Sequence, residues 1–538
     1  MTKRLVLARH YLDGKGVAWP GFQATLAAPM THDAGMLEEA LSLLVAAREP
    51  AERLGPYLAA LLLETPFRLP FVDPLRDLPV EAGRQLLPIL ARGPDVLRQP
   101  GDADAWAAYA ESLLVACGAA VLPFLRLHAA FAATGDLRRL MTLRGRLIAQ
   151  AEGIDDWYPG RPAAGQPIRL GLLTGRIDDR PNTRFLLPHI DRLDRRRYRV
   201  FGYALGGGED GMAALFRSAC DRLVRLDGMA QHDRVAAIRR DRLDILLIGG
   251  NVAASVDPLC RLAAWRLARY QVLLAATPVT SGLASIDHVL VGTETPQGAD
   301  TQCTEELLRL DRLFCCFDPG VPRAASEAPS RTDFSIEESA KLLLSTASLT
   351  KLTPACLDLW LSILETRADA VLLLAPFNPY WLGDTPPRTA LAAHLADLAR
   401  RRGIAPYRIR LAGPFTDAGT VDALAGLADL YLDAFPYAGC TTLLAPLAAG
   451  VPVVAMVGDS QRGNQAAALL SEAGRQGGIA RDAGEYRRIA LDMLGLPRLS
   501  EPSGGFLDAA DFARSLDVAL SSMLAANAAG EDHGDHAR

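Results

Sequence analysis

Apolar side chains recur at helical spacing through the first part of the chain. In the segment MLEEALSLLVAA, Leu37, Leu41, Leu44 and Val45 fall on one face of a helix. Similar patterns continue in YLAALLLE, DADAWAAYAESLLVAC and LRRLMTLRGRLIAQAEG. The segment DAWAAYAESLL hints at one unit of a helical repeat, but no second unit lies in register. The pattern therefore predicts an all-α region over residues 1–157, with an irregular helical arrangement favoured over a repeat array.

The pattern changes after a Pro/Gly-rich linker at residues 158–167. Short apolar runs that end at turns, such as IRLGLLTG, YRVFGYAL and LDILLIGG, alternate with helical stretches. A second linker leads to another alternating series, which includes KLLLSTAS, PACLDLWLSILETR and VPVVAMVG. This alternation is typical of βαβ units around a parallel sheet. We therefore predict two α/β domains with a ligand cleft between them, over 165–325 and 330–528, and a disordered tail over 529–538.

Composition and charge narrow the class of protein. Half of the 538 residues are hydrophobic and the net charge is −5, a nearly neutral balance that argues against broad binding to nucleic acid. No apolar run approaches the roughly 18 residues of a membrane span, and the first residues lack the pattern of a signal peptide. The eight cysteines and the histidines show no metal-site spacing. These features predict a cytoplasmic protein without a bound metal.

The segment FPYAGCTTLLAPLAAGVPVVAM, residues 435–456, joins an apolar run that ends at Asp433 to the next helix. A helix N-terminus offers unpaired N–H groups and a partial positive charge, which suit a phosphate. Gly439 lets the backbone approach a ligand, and Thr441 and Thr442 offer hydroxyls that can cap the helix or meet phosphate oxygens. The turn by itself is consistent with a phosphate site or with a capped helix that binds nothing.

The longer segment YLDAFPYAGCTTLLAPLAAGVPVVAMVGD resembles the core motif of the O-GlcNAc transferase and SPINDLY family of glycosyltransferases. FPYAG and GNQAAALL are most similar to the SPINDLY branch, and further family motifs follow in order over residues 165–475, among them IRLGLLTGRIDDRPNTRFLLPHI, TPVTSGLASIDHVLVG and ASLTKLTP. The resemblance implies a bacterial member with a GT-B fold, in which two Rossmann-like domains face a cleft. It also implies an inverting, metal-independent transfer of a sugar from a nucleotide-diphosphate sugar to a protein, with no cofactor.

Lys351 lies in ASLTKLTP, which resembles the segment that carries the family's diphosphate-binding lysine. The chain has only four lysines among 57 basic residues, so a lysine at this place suggests a need for its compact, mobile charge. Without a metal, cations must stabilise the leaving nucleoside diphosphate. The residues implied for the donor site are Gly439, Cys440, Thr441, Thr442, Lys351, Asp433, Tyr437 and Asn464.

Two departures from the family pattern concern the donor nucleotide. Ala445 stands where many relatives have an acid that holds the ribose, and an alanine side chain cannot accept those hydrogen bonds. The segment LAGPFTDAG lacks a lysine that some relatives carry near the base. The nucleotide, UDP or GDP, and the sugar therefore stay open.

The loop DDRPNTR departs from the family in its acid–base residues. Arg180 and Arg184 stand where relatives often have histidines, and arginine cannot act as a general base, although it can bind a phosphate or an acidic acceptor. Asp178 and Asp179 are the nearest candidate bases, and Asp241 matches a position that is acidic in relatives. The catalytic residues implied are Lys351, Asp179, Asp241 and Arg180.

Three functions remain open at this point. The first is an active glycosyltransferase that modifies Ser or Thr of a protein, with a bacterial surface protein such as flagellin as one candidate acceptor. The second is a catalytically weakened relative that binds a sugar nucleotide or a partner, which the missing histidines and Ala445 favour. The third, a nucleotide-sugar epimerase of the same fold, is disfavoured by the order of the motifs. The helical region is expected to select the acceptor or to pack against the first α/β domain.

Overall fold

The first part of the chain is helical, as its apolar spacing predicts. This computed structural model describes residues 2–16, 19–26, 28, 30, 33–160, 165–317, 325, 327–377, 387–500 and 504–534, with side chains to residue 526. Within them, seven helices precede the first strand: α1 Lys3–Leu12, α2 Trp19–Leu26, α3 Ala34–Ala46, α4 Pro50–Leu63, α5 Val80–Leu90, α6 Asp102–Cys117 and α7 Arg138–Glu152. Asp33 caps α3 through the Met36 N–H, and α7 ends at Gly153, whose φ of 62° suits a glycine.

The first sheet contains seven parallel strands in the order β3-β2-β1-β4-β5-β6-β7. The strands are β1 Ile168–Thr174, β2 Tyr198–Ala204, β3 Arg222–Arg225, β4 Leu243–Ile248, β5 Ala268–Leu273, β6 His288–Val291 and β7 Glu306–Arg309. The helices that accompany them are α8 Pro181–Leu186, α9 Gly211–Ser218, α10 Gln231–Arg239 and α11 Pro258–Ala263. All six residues of β4 are buried, which explains why LDILLI is apolar except for Asp244.

The second sheet contains six parallel strands in the order β10-β9-β8-β11-β12-β13. The strands are β8 Lys341–Ser345, β9 Ala370–Leu374, β10 Ile409–Leu411, β11 Leu430–Leu432, β12 Val453–Met456 and β13 Ile479–Ala480. The remaining helices are α12 Pro354–Thr366, α13 Arg388–Arg401, α14 Ala418–Ala423, α15 Leu444–Ala448, α16 Gln461–Glu472, α17 Ala483–Met493 and α18 Ala509–Gly534. The predicted α/β class, with two parallel sheets after a helical region, is confirmed.

Helix α18 crosses from the second α/β domain back to the first. The Asp517 carboxylate accepts a hydrogen bond of 2.6 Å from the Tyr198 hydroxyl and pairs with the Arg197 guanidinium at 2.9 Å. Phe512 packs edge-on against the buried His189 ring at 5.0 Å. The expected second-domain range of 330–528 therefore ends in a helix that is anchored on the first domain.

The disordered tail over 529–538 stays a prediction; helix α18 extends to Gly534, the last residue that the structure describes. The segment AANAAG is rich in alanine, which has the highest helix propensity, so the helix continues beyond its packed part. Residues 535–538 lie outside the described residues. No helix in the described ranges combines the length and the apolar character needed to cross a membrane.

Candidate functional site

Residues 433–443, here called the donor turn, follow β11 at the carboxyl edge of the second sheet. β8 is the parallel neighbour of β11, so the loop after β8 opens at the same edge. That loop holds the short 3-10 turn Leu349–Lys351. The sheet order thus brings Lys351 and the donor turn together, although they are far apart in the sequence.

Lys351 contacts the donor turn in two ways. Its Nζ donates a hydrogen bond of 2.6 Å to the Ala438 carbonyl and lies 3.9 Å from the centroid of the Tyr437 ring. Burial lowers the pKa of the Lys351 ammonium to about 8, although the charges of Asp433 and Cys440 act in the opposite direction. The side chain is therefore a weakly hydrated cation directed at the turn.

Asp433 holds the donor turn closed. It is 1% exposed, and its two carboxylate oxygens accept the Gly439 N–H at 2.9 and 3.1 Å. Burial raises the pKa of this carboxyl to about 7, while nearby Lys351 opposes the rise. A Cβ at Gly439 would lie 2.4 Å from Asp433 Oδ1 and 2.5 Å from Thr442 Oγ1, so the close approach requires glycine.

Cys440, Thr441 and Thr442 lie where the turn becomes helical. Thr442 Oγ1 is buried beside the Tyr431 hydroxyl without a hydrogen bond of normal geometry, and the Thr441 side chain is half-buried. The helix that follows is short: a 3-10 turn at Thr441–Leu443 and then α15, which ends before Gly450 with its φ of 67°. The expected contribution of a helix dipole is therefore small, because few peptide dipoles are aligned.

Helix α16 supports the turn and contacts the first domain. Gln465 Nε2 donates to the Ala438 carbonyl at 2.6 Å, which gives that oxygen a second donor beside Lys351. Asn464 Nδ2 donates to the Glu294 carbonyl at 3.0 Å. Asn464, predicted to bind the donor, thus also joins the two α/β domains.

The helical region also reaches the donor turn. Arg462, in the first turn of α16, donates from Nε to the Phe131 carbonyl at 2.8 Å and from Nη2 to the Ala133 carbonyl at 2.9 Å. The Phe131 ring meets the Tyr437 ring edge to face, with centroids 6.3 Å apart and planes at 83°. Neither Arg462 nor Phe131 was found from the sequence, because neither lies in a motif position with a known role and their contact joins segments 331 residues apart.

The arginine-rich loop after β1 binds its own aspartates. Asp179 accepts two hydrogen bonds from Arg184, at 2.7 and 2.9 Å. Asp178 pairs with Arg176 at 2.7 Å and with Arg180 at 3.0 Å. Both candidate bases therefore lie at the carboxyl edge of the first sheet, and each must leave an arginine before it can accept a proton.

Asp241 is not at this edge, in contrast to the prediction. It precedes β4 and so lies at the amino-terminal edge of the sheet, opposite to the end where ligands bind. Its Oδ2 accepts the Tyr203 hydroxyl at 2.7 Å and its Oδ1 accepts the Arg222 guanidinium at 2.5 Å. Asp241 is 8% exposed, and its hydrogen bonds are those of a structural residue.

Metal ligands were not expected from the sequence. Among the side chains that the structure describes, no group of three or more His, Cys, Asp or Glu could hold a metal ion. The cation that contacts the donor turn is the Lys351 ammonium.

Comparison with known proteins shows which sequences and structures this chain resembles. Residues 321–497 match the model of glycosyl transferase family 41. The chain is 27% identical over 380 residues to "Probable UDP-N-acetylglucosamine--peptide N-acetylglucosaminyltransferase SPINDLY" of Oryza sativa subsp. japonica, which covers 67% of this chain and 39% of that protein. Its identity with the protein of the same name from Arabidopsis thaliana is 25% over 337 residues, 61% of this chain and 35% of that one. The chain thus spans well under half the length of these relatives.

Among solved structures, a mutant of the Thermobaculum terrenum O-GlcNAc transferase superimposes with a TM-score of 0.57 at 24% identity. The match covers 92% of this chain and 94% of that chain, including the helical region. This similarity shows the fold. The predicted resemblance is therefore confirmed: the chain has a GT-B fold and is similar in sequence to glycosyl transferase family 41, the family of the O-GlcNAc transferases and SPINDLY proteins.

Proposed function

We propose that this chain is an inverting, metal-independent glycosyltransferase that moves a sugar from a UDP- or GDP-linked donor to Ser or Thr of a protein. The observation that carries the proposal is the meeting of Lys351 with the donor turn at the carboxyl edge of the second sheet, with Nζ 2.6 Å from the Ala438 carbonyl. The names of the relatives, which describe transfer of N-acetylglucosamine to peptides, support the same class of reaction.

The donor turn can stabilise the leaving group. When the bond between the sugar C1 and the diphosphate oxygen breaks, the electron pair stays on the diphosphate, which gains negative charge. The Lys351 ammonium is placed to receive that charge, and a preorganised cation of this kind lowers the barrier effectively. Lys351 would exchange its contact with a neutral carbonyl for a contact with phosphate.

The acceptor hydroxyl attacks C1 from the opposite face, which inverts the configuration without a covalent intermediate. Its proton must pass to a base, and Asp179 is our candidate. The ion pair of Asp179 with Arg184 must open first, and an acidic acceptor or a phosphate that binds Arg184 would release the carboxylate. Arg180, in the same loop, pairs with Asp178 at 3.0 Å.

A catalytically weakened binding protein is the second candidate. Two observations favour it: both candidate bases are held by arginines, and Ala445 cannot accept the ribose hydrogen bonds. Such a protein would bind a nucleoside diphosphate at the donor turn without transferring sugar. A cytoplasmic location fits either candidate.

The test incubates the purified full-length chain with a panel of UDP- and GDP-sugars, an extract of cells that encode it, and a metal chelator. The expected result is a sugar mass on a protein of the extract with the wild-type chain and none with Lys351→Ala. Nucleotide binding without transfer by the wild-type chain would favour the second candidate. Transfer that stops in the chelator and returns with Mg²⁺ or Mn²⁺ would contradict metal independence.

A further inference from the structure

We propose that Arg462 and Phe131 act as positioning residues through which the helical region fixes Tyr437 and, with it, Lys351. The inference rests on the proposed function, which assigns Lys351 to the leaving diphosphate. It adds that the donor site is completed by all three parts of the chain, with residues 128–133 of the helical region as a cover for the donor turn.

Arg462 is the first link. Its half-buried guanidinium directs two N–H groups to the carbonyls of Phe131 and Ala133, which are neutral acceptors. Burial lowers the pKa of this guanidinium, while the surrounding groups Tyr437, Asp459, Asp136 and Asp104 oppose that shift. Two parallel donors on two carbonyls of one segment fix its position and orientation, which a single lysine donor could not do.

Phe131 is the second link. It is 2% exposed and lies in the 3-10 turn His128–Ala132, which packs directly on the 3-10 turn Leu349–Lys351. One segment of the helical region therefore touches both halves of the donor site. The Phe131 ring contacts the Tyr437 ring edge to face, and the Lys351 ammonium lies 3.9 Å from the centroid of the Tyr437 ring. Tyr437 therefore contacts both the helical region and Lys351.

These contacts link Arg462 to Lys351 through Phe131 and Tyr437. If Arg462 is lost, the 128–133 segment loses two hydrogen bonds, Phe131 is free to move, and Tyr437 loses the contact that sets its ring. Lys351 would then be exposed to more water and would point less consistently at the diphosphate. Arg462 does not touch the reacting atoms in this scheme, so it is a positioning residue.

The test measures the surroundings of Lys351 directly. The chain has only four lysines, so labelling with 13C at the lysine Cε carbon yields four signals, which Lys3→Arg, Lys15→Arg and Lys341→Arg assign by elimination. In the wild-type chain the Lys351 signal should titrate at about 8. Arg462→Met and Phe131→Leu should each move that titration toward the ordinary lysine value by half a pH unit or more and lower kcat roughly tenfold, with a smaller change in acceptor KM.

Arg144→Met is the matched control. Arg144 is a fully buried arginine of the helical region, and its guanidinium donates to the carbonyls of Val252 and Ser255 in the first α/β domain. This variant should leave the Lys351 titration unchanged. An unchanged titration in folded Arg462→Met and Phe131→Leu, or an equal shift in Arg144→Met, would overturn the proposal.

Two further experimental outcomes have a defined interpretation. If Arg462→Met does not fold, Phe131→Leu decides the question, because that variant keeps both Arg462 hydrogen bonds to backbone carbonyls. If the titration shifts as expected but the wild-type chain transfers no sugar, the positioning role of Arg462 and Phe131 is supported and the proposed function is contradicted.

Discussion

Lys351 is the residue on which the proposed chemistry depends, and its ammonium contacts Ala438 and Tyr437 of the donor turn. Its candidate role could be predicted from the sequence, because it stands in a family motif and lysine is rare here. The shift in its pKa could not be predicted, since it depends on burial between Tyr437, Ala438 and Asp433. The position of Asp241 could not be predicted either, because a match in sequence does not show at which edge of a sheet a side chain lies.

Replacing Lys351 with alanine should strongly reduce transfer and leave the fold intact. Loss of a charged hydrogen bond to phosphate costs about 1.5–3 kcal/mol, which corresponds to at least roughly ten-fold in rate. Sugar transfer and thermal unfolding measure the two effects. Lys341→Ala is the control. Lys341 lies on β8 and pairs with Asp429 at 3.7 Å, so this variant should keep wild-type activity. Normal transfer by Lys351→Ala would remove Lys351 from the site.

The affinity for a nucleoside diphosphate should fall as the pH rises through about 8. Lys351 is cationic below its lowered pKa of about 8 and neutral above it, so its attraction for phosphate is lost on the alkaline side. Calorimetric titration between pH 6.5 and 9.5 measures the change. Lys351→Arg should bind with much less dependence on pH, because arginine stays charged throughout this range. Equal pH dependence in both chains would show that another group is responsible.

At the scale of elements, strands that lie in apolar runs were predictable, including the four-residue β12, and strands without such a run were not. β1, β4 and β8 each stand out as apolar runs that end at a turn. β3 and β7 read RLVR and ELLR, with charged residues at both ends, and β13 has only two residues. Their pairing comes from neighbouring strands and is not visible in a local pattern.

The donor turn is an element whose shape depends on Gly439. In Gly439→Ala, the new Cβ would collide with Asp433 Oδ1, Thr442 Oγ1 and Leu443 Cδ1, all within 2.5 Å. Such overpacking costs about 1–3 kcal/mol, so the melting temperature and the nucleotide affinity should both fall. Gly426→Ala is the control, because an added Cβ there meets no atom within 4 Å. Unchanged nucleotide binding in Gly439→Ala would place the donor elsewhere.

For the whole molecule, the order of motifs predicted the two α/β domains, but the contacts among the three parts needed the structure. α18 ties the end of the second domain to Tyr198 of the first, and Arg462 ties α16 to the helical region. These contacts join residues hundreds of positions apart, and periodicity along the chain carries no information about them. The helical region thus lies against the donor turn as well as the first domain.

We predict that a groove on the helical region binds the acceptor. The groove has a volume of about 490 Å³ between α6 and α7 and is lined by Arg138, Arg139 and Arg146 with Glu111 and Asp136. Arg139 pairs with Glu111, which leaves Arg138 and Arg146 as the arginines to change. Arg138→Glu with Arg146→Glu should lower transfer to the protein acceptor several-fold and leave nucleotide affinity unchanged, because the groove carries positive charge suited to an acidic segment. Both quantities are measured on the same preparation.

The control for the groove is Arg400→Glu with Arg401→Glu, which alters two exposed arginines of α13 that pair with Asp397. That variant should transfer sugar at the wild-type rate. Loss of nucleotide affinity in the groove variant would contradict this division between acceptor groove and donor turn, and equal loss of transfer in both variants would point to a general effect of charge.

The most direct test of the central claim is mass spectrometry of the proteome of cells that encode this chain, after deletion of the gene and complementation. The account predicts a sugar mass on Ser or Thr peptides when the wild-type chain is restored, and the absence of that mass when Lys351→Ala is restored at equal abundance. Identical modified peptides in the two strains would contradict the claim that this donor site transfers sugar to protein.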